Sequence, residues 1–204
     1  MSDKSSPLVA TAAGNPLKVT YYSEYVGSPF FNADWVKANI MFRTGAVIQD
    51  TLVKYCDLKD QLFTQGKGDM YGLFNNTVIA FTIFNPNGTL SHFSVFPGNG
   101  KFADGAFFEI LCDGDVKLLK KNVKTISENK ADISTAVFSR IIVDNVDYYI
   151  LINNKVVRIK KDRKNVVPIF KDKQKELYSY VQTNKLNLKN ESDLIKLVNY
   201  YNTL

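Results

Sequence analysis

The run Val146-Asp147-Tyr148-Tyr149-Ile150-Leu151-Ile152 lies between two pairs of turn formers, Asp144-Asn145 before it and Asn153-Asn154 after it. Asp and Asn tolerate the positive φ that two-residue hairpin turns demand. Read as two such turns, the pairs make this run the middle strand of a three-stranded meander over residues 137–160. The two registers can be tested against each other, because directly opposed residues share a face. The first turn places Val137, Ile141 and Val143 with Val146, Tyr148, Ile150 and Ile152, and the second adds Val157 and Ile159 to the same face. Phe138, Arg140, Asp147, Arg158 and Lys160 fall on the other face, with Tyr149 across from Arg158. A slip of one residue at either turn would destroy that agreement, so the stretch predicts β-structure with one apolar and one mixed face.

Upstream, the same logic predicts more hairpins. Residues 17–25 read as a first strand after a flexible leader, 1–16, rich in Ser, Ala, Thr, Gly and Pro. A hairpin about Thr44-Gly45 opposes Val36, Ala38, Ile40 and Phe42 to a second apolar set that includes Val47 and Val53. A strand at 61–64 follows, then a loop at Gly66-Lys67-Gly68-Asp69. Residues 77–84 turn at Asn85-Pro86-Asn87-Gly88 and return as 90–96, where a two-residue turn at Asn87-Gly88 sets His92 opposite Ile83. Pro97-Gly98-Asn99-Gly100 reads as a loop, 102–107 as a short irregular segment, and Asp113-Gly114 as the turn joining 107–112 to 116–123. Residues 124–136, polar and rich in Lys, Asn and Ser, read as a surface connection.

Downstream the periodicity changes. A short apolar element at 166–170 contains Pro168, and Asp172 is placed to cap a helix running to about Asn184 with Leu177, Tyr180 and Val181 at helical spacing. Asn190 caps a second helix, with Glu191 and Asp193 at the positive end of its dipole and Leu194, Leu197, Val198 and Tyr201 as an apolar stripe. The fold class expected is mainly β, antiparallel hairpins and a meander, with a curved sheet and an open barrel both left open, finished by two C-terminal α-helices. The organisation expected is a leader at 1–16, a β domain at 17–160 and a helical segment at 161–204 packed on it.

The hydrophobic share of 45%, with 14 Phe and 11 Tyr, is ample for a core and excludes a disordered chain. No run reaches the roughly 18 apolar residues of a membrane-spanning helix. Charge is unevenly distributed: residues 1–116 hold 8 Lys/Arg against 11 Asp/Glu, and residues 117–204 hold 18 against 9. Such asymmetry suits either an anionic partner or the protection of an edge strand.

The pieces Gly27-Ser28-Pro29-Phe30-Phe31-Asn32, Thr44-Gly45 and Val53-Lys54-Tyr55-Cys56-Asp57, with the longer stretches at 107–121 and 194–202, resemble a family of uncharacterised exported proteins known mainly from Bacteroidetes. The similarity covers about residues 20–204 and departs at Cys56, where relatives more often carry Asn. The resemblance implies export to the periplasm or the outer-membrane region, and it carries no activity.

The chemistry-bearing residues point the same way. One histidine, His92, and two cysteines 56 positions apart, Cys56 and Cys112, give no zinc-ligand spacing and no nucleophile–base motif, so no metal and no cofactor is expected. His92 reads as a half-buried structural residue, and the cysteines as small apolar side chains. The glycine pairs at 66–68 and 98–100 lack the strand–loop–helix setting of a phosphate loop. What stands out is a basic segment, Arg158, Lys160, Lys161, Arg163 and Lys164, continued by Lys171, Lys173 and Lys175. It is the candidate binding patch, suited to an anionic surface, and no aromatic–basic nucleic-acid motif accompanies it. The expectation is a non-catalytic cell-envelope protein that engages an envelope protein partner; the alternative is a carrier for a small apolar or glycan ligand inside a curved β-sheet.

Overall fold

A computed structural model describes residues 25–65, 71–74, 77–97, 105–130 and 138–204. The leader, the expected first strand up to residue 24, Val137 and the glycine loops at 66–69 and 98–100 lie outside the described residues. The chain is mainly β, as its hairpin pattern predicts. The strands are β1 (Tyr25–Val26), β2 (Val36–Phe42), β3 (Val47–Cys56), β4 (Gln61–Gln65), β5 (Tyr71–Phe74), β6 (Val78–Phe84), β7 (Leu90–Phe96), β8 (Ala106–Cys112), β9 (Lys117–Lys130), β10 (Phe138–Ile152) and β11 (Lys155–Ile159). A one-turn helix α1 (Arg163–Val166) and a 3-10 turn (Val167–Ile169) then lead to helices α2 (Gln174–Thr183) and α3 (Glu191–Tyr201). The sheet is mixed, because β1 runs parallel to β10. Its pairing order ends at β5 and at β1, with β11 on β10, and among the described residues no pairing joins those ends into a barrel.

The deciding stretch departs from its reading in one respect. β10 is a single 15-residue strand that passes through Asp144-Asn145 without turning. Neither residue has positive φ, whereas Asn153 and Asn154 sit at φ 50 and 60, as a two-residue hairpin requires. The predicted second register holds: Ile150 faces Val157, Tyr148 faces Ile159 and Tyr149 faces Arg158. The first half of β10 is paired instead along β9, where Lys124 meets Asp144 at 3.1 Å. Residues 124–130 are therefore strand and not surface connection. In an unbroken strand Ile141 and Val143 fall out of step with Tyr148 and Ile150. Ile142 is accordingly buried, while Val143 is exposed.

The chain forms two compact units. The first comprises Met1–His92 and Asn122–Asn145. Within it, β6, β2, β3, β4 and β5 are antiparallel neighbours around Val36, Ala38, Ile40, Val53, Tyr55, Leu62, Phe81 and Ile83. The two glycine-containing turns expected here use three-residue loops, not two. Phe42 N–H donates to Ala46 O (2.9 Å) around Gly45 at φ 84, and Asn85 N–H donates to Thr89 O (2.9 Å) around Gly88 at φ 82. A left-handed glycine after a type I turn is the usual third residue of such loops.

The extra residue shifts each register by one. Val47 stands opposite Met41 on the exposed face, not opposite Phe42. An irregularity at Asp50, φ 52, takes the shift back, so Val36 still faces Val53 as expected. No such correction follows the second loop. His92 is exposed and its Nδ1 lies 3.0 Å from Thr82 Oγ1, so it is not the half-buried partner of Ile83.

The second unit comprises Phe93–Lys121 and Val146–Leu204. Within it β7, β8 and β9 are antiparallel, and β10 and β11 form the hairpin described above. The helices pack on these strands. Cys112, Val116, Leu118, Tyr148, Ile150 and Ile159 share one apolar cluster with Val166, Val167, Phe170, Leu177, Val181, Leu194, Leu197 and Val198. The stripe read on α3 is thus its buried face. The opposite side of the strands is apolar too, with Ala106, Phe108, Leu119, Tyr149 and Val156 packed together. Asp172 does not cap α2, whose first flanking residue is Lys173. Asn190 flanks α3 as expected, though its side chain makes no capping hydrogen bond. The end of α3 is fastened to the β8–β9 turn through Asn202, which accepts from Val116 N–H (3.0 Å) and donates to Val116 O (2.9 Å).

Replacing that clamp tests the docking of α3. Asn202→Ala strips a strand end of both backbone partners and is expected to cost about 1–3 kcal/mol in urea unfolding. Asn184→Ala, which removes only an exposed bond to Tyr180 O within α2, is expected to cost less than about 0.5 kcal/mol.

Candidate functional site

The five residues of the predicted basic patch have different employments. Arg158 on β11 is exposed but paired, its guanidinium 2.5 Å from the Asp147 carboxylate on β10. Tyr149 does face Arg158 in register, yet its ring packs edge-on against Phe108, centroids 5.1 Å apart. The cation–π contact falls elsewhere: Lys161 lies over the Tyr148 ring at 4.2 Å. Arg163 in α1 lies over Tyr178 at 5.8 Å. Lys160 and Lys164 are exposed. Asp162, in the middle of the segment, accepts from the Asn165 side-chain amide at 2.6 Å and caps α1 by accepting from Asn165 N–H at 2.9 Å, and those bonds hold its carboxyl below the usual range. Three of the five cations therefore support the local fold.

Beside them lies a polar group that the sequence did not point to. Glu191, the first residue of α3, accepts from Tyr148 Oη on β10 at 2.7 Å and pairs with Lys120 on β9 at 3.0 Å. Lys120 is also 3.7 Å from Glu109 on β8. Burial works to raise the Glu191 pKa, but the hydrogen bonds from Tyr148 and Lys120 outweigh it and hold the carboxyl below its ordinary value. Burial, then the bond to Glu191, push the Tyr148 phenol well up. A carboxylate held ionised against a phenol held protonated is a fastening between helix and sheet. Neither group is set for proton transfer near neutral pH.

A concave site of this unit lies a short way along. A cavity of about 790 Å³ opens between the tip of the β10–β11 hairpin, the segment after the 3-10 turn and the end of α3. Val116, Ile152, Val157 and Ile169 give it an aliphatic floor. Asn153, Lys155, Lys171, Asp172, Lys173 and Asp115 give it a polar rim. Tyr201 enters from α3, its ring packed on Phe170 at 4.5 Å between centroids and its hydroxyl 3.3 Å from Asp172. Burial and that carboxylate push the phenol up. Among the described residues none of Lys155, Lys171 and Lys173 forms an ion pair. Lys171 and Lys173 continue the basic segment seen in the sequence. Lys155, Asp115 and Tyr201 carry no local signal and come together only through the fold.

Elsewhere the reactive side chains are enclosed. Cys56 and Cys112 are free and buried. Burial pushes both thiols up, and Cys112 donates to Asn199 Oδ1 at 2.6 Å. Among the described residues no three His, Cys, Asp or Glu side chains gather as a metal would require. Among the same residues no helix is long and apolar enough to cross a membrane. Comparison of the chain with known protein families, with curated proteins and with solved structures found no match.

The fastening at Glu191 gives a pH dependence. Its folded pKa is depressed, so its stabilisation is fully present above the unfolded value of about 4.3 and is lost as pH falls through the folded value. Glu191→Gln should lower the urea midpoint near about pH 7. As pH falls through the folded value, where the wild-type carboxyl protonates too, the two midpoints should converge.

Proposed function

We propose that this protein is a non-catalytic interaction module of the cell envelope that recognises an acidic partner through its second unit. One observation carries the reading, the placement of charge. The second unit holds 16 Lys/Arg against 10 Asp/Glu, while the first holds 10 against 10, so the whole net charge of +6 belongs to the unit with the cavity. An excess of one sign of charge on a unit attracts and orients a partner of the other sign. The envelope location rests on the family resemblance alone and is part of the same proposal.

A second reading, a small-ligand carrier, is favoured by the cavity itself. Its volume of about 790 Å³ lies within the range of about 300–1,000 Å³ usual for small-molecule sites. The ligand in that reading sits between a hairpin tip and helix ends.

Photo-crosslinking in cells separates the two. A benzophenone side chain at position 171 should give one discrete adduct of protein size, and the same group at position 185, on the far end of α2, should not. Equal adduct patterns from both positions would end the partner reading. A small mass increment on the chain at 171 alone would favour the carrier.

A further inference from the structure

We infer that the cavity is a binding site for an amphiphilic anion: an aliphatic chain bearing a phosphate, sulfate or carboxylate head. The inference rests on the carrier reading and names the chemistry of its ligand. The rim supplies the charge. Lys155 comes from the β10–β11 hairpin, while Lys171 and Lys173 come from the segment leading into α2. Their ammonium groups form no ion pair among the described residues, so all three are available to an incoming anion. An anionic head held by several lysines gains charge-assisted hydrogen bonds of a kind stronger than neutral ones.

The two carboxylates on the rim narrow the choice. Asp172 already accepts from the Tyr201 hydroxyl. It and Asp115 oppose a second negative charge, which limits the ligand to one anionic head. Two carboxylates among three lysines do not make a cation site, since the ammonium charges repel the metal. The floor selects the rest of the molecule. Val116, Ile152, Val157 and Ile169 are aliphatic, and each methylene laid on them is favoured by leaving water. A sugar would need an open aromatic face, and the one ring here, Tyr201, is packed on Phe170.

Calorimetry on the full chain decides the matter, with octyl phosphate, inorganic phosphate and octyl glucoside as probes. Octyl phosphate should bind at least about tenfold tighter than either of the others, because it alone uses both rim and floor. The double variant Lys171→Glu/Lys173→Glu changes exposed or half-exposed side chains without ion pairs, so the fold should be kept. It should weaken octyl phosphate by about tenfold or more. Lys175→Glu/Lys189→Glu alters net charge equally away from the cavity and should change affinity less than about threefold at physiological salt. Octyl glucoside binding as tightly as octyl phosphate would overturn the anion assignment while leaving the carrier reading intact. Failure of all three probes would remove both. Equal weakening by the two double variants would reduce the effect to bulk charge and overturn the site. Retention on phosphatidylglycerol vesicles, abolished by Lys171→Glu/Lys173→Glu, would make the amphiphile a bilayer lipid. Octyl phosphate binding without retention would make it a free molecule, and both results support the inference.

Discussion

Five consecutive apolar residues in one strand, Tyr148 to Ile152, impose the constraint on which the second unit depends. Side chains in a strand alternate, so an unbroken apolar run must be covered on both faces or leave oily surface in water. Here Tyr148 and Ile150 enter the cluster built with the helices, while Tyr149 joins Phe108 and Val156 in the cluster on the other side. The helices are therefore one of the two coverings that β10 requires. Their own sequences suit them to cover it, since Leu177 and Val181 on α2, and Leu194, Leu197 and Val198 on α3, point the apolar side of each helix at the strands. Polar fastenings then fix the angle of approach, Glu191 with Tyr148 and Lys120 at the start of α3, and Asn202 with Val116 at its end.

The strands were legible in the sequence because their apolar positions alternate, and the helices because theirs recur at three and four. Loop length was not, and the register shifts at the two glycine turns follow from it. Asn87-Gly88 suggests a two-residue turn, but Pro86 suits the first corner of a type I turn, which makes Gly88 the third loop residue and moves His92 to the outer face. The Thr44-Gly45 hairpin has the same geometry, yet an irregularity at Asp50 restores the alternation, so Val53 was read correctly and Val47 was not. At Asp144-Asn145 two turn-forming residues sit in the middle of a strand. Nothing local distinguishes them from Asn153-Asn154. The difference is tertiary: the exposed middle of β10 has a long partner in β9, with Lys124 paired to Asp144, and needs no turn.

The basic segment shows the same limit for function. A run of cations in sequence reads as one patch, but register and helix phase separate its members. Arg158 answers Asp147, Lys161 covers Tyr148, and Arg163 lies by Tyr178, so much of that charge is engaged by groups distant in sequence that the fold brings beside it. Among the described residues, the lysines without ion pairs around the concave surface are Lys155, Lys171 and Lys173, two from the end of the run and one from beyond the hairpin turn. Charge density along a chain thus identifies the unit that carries the field without identifying the residues that would use it.

The position of the cavity follows from how the covering ends. The β10–β11 hairpin closes tightly at Asn153-Asn154, so its strands stop, while the 3-10 turn containing Pro168 redirects the chain before α2 begins. Helix α3 reaches the same region with its last turn, held there by Asn202. Three elements end together, and none continues far enough to fill the space between them. The floor is the frayed margin of the apolar cluster: Ile152 and Ile169 pack against it while also facing the opening. The Asn and Asp residues of the rim are those that turns favour. An apolar margin under a charged rim is what any helix-covered sheet produces where its coverings stop short. The unpaired lysines set this margin apart, because ordinary solubility would be served as well by rim cations matched to Asp115 and Asp172.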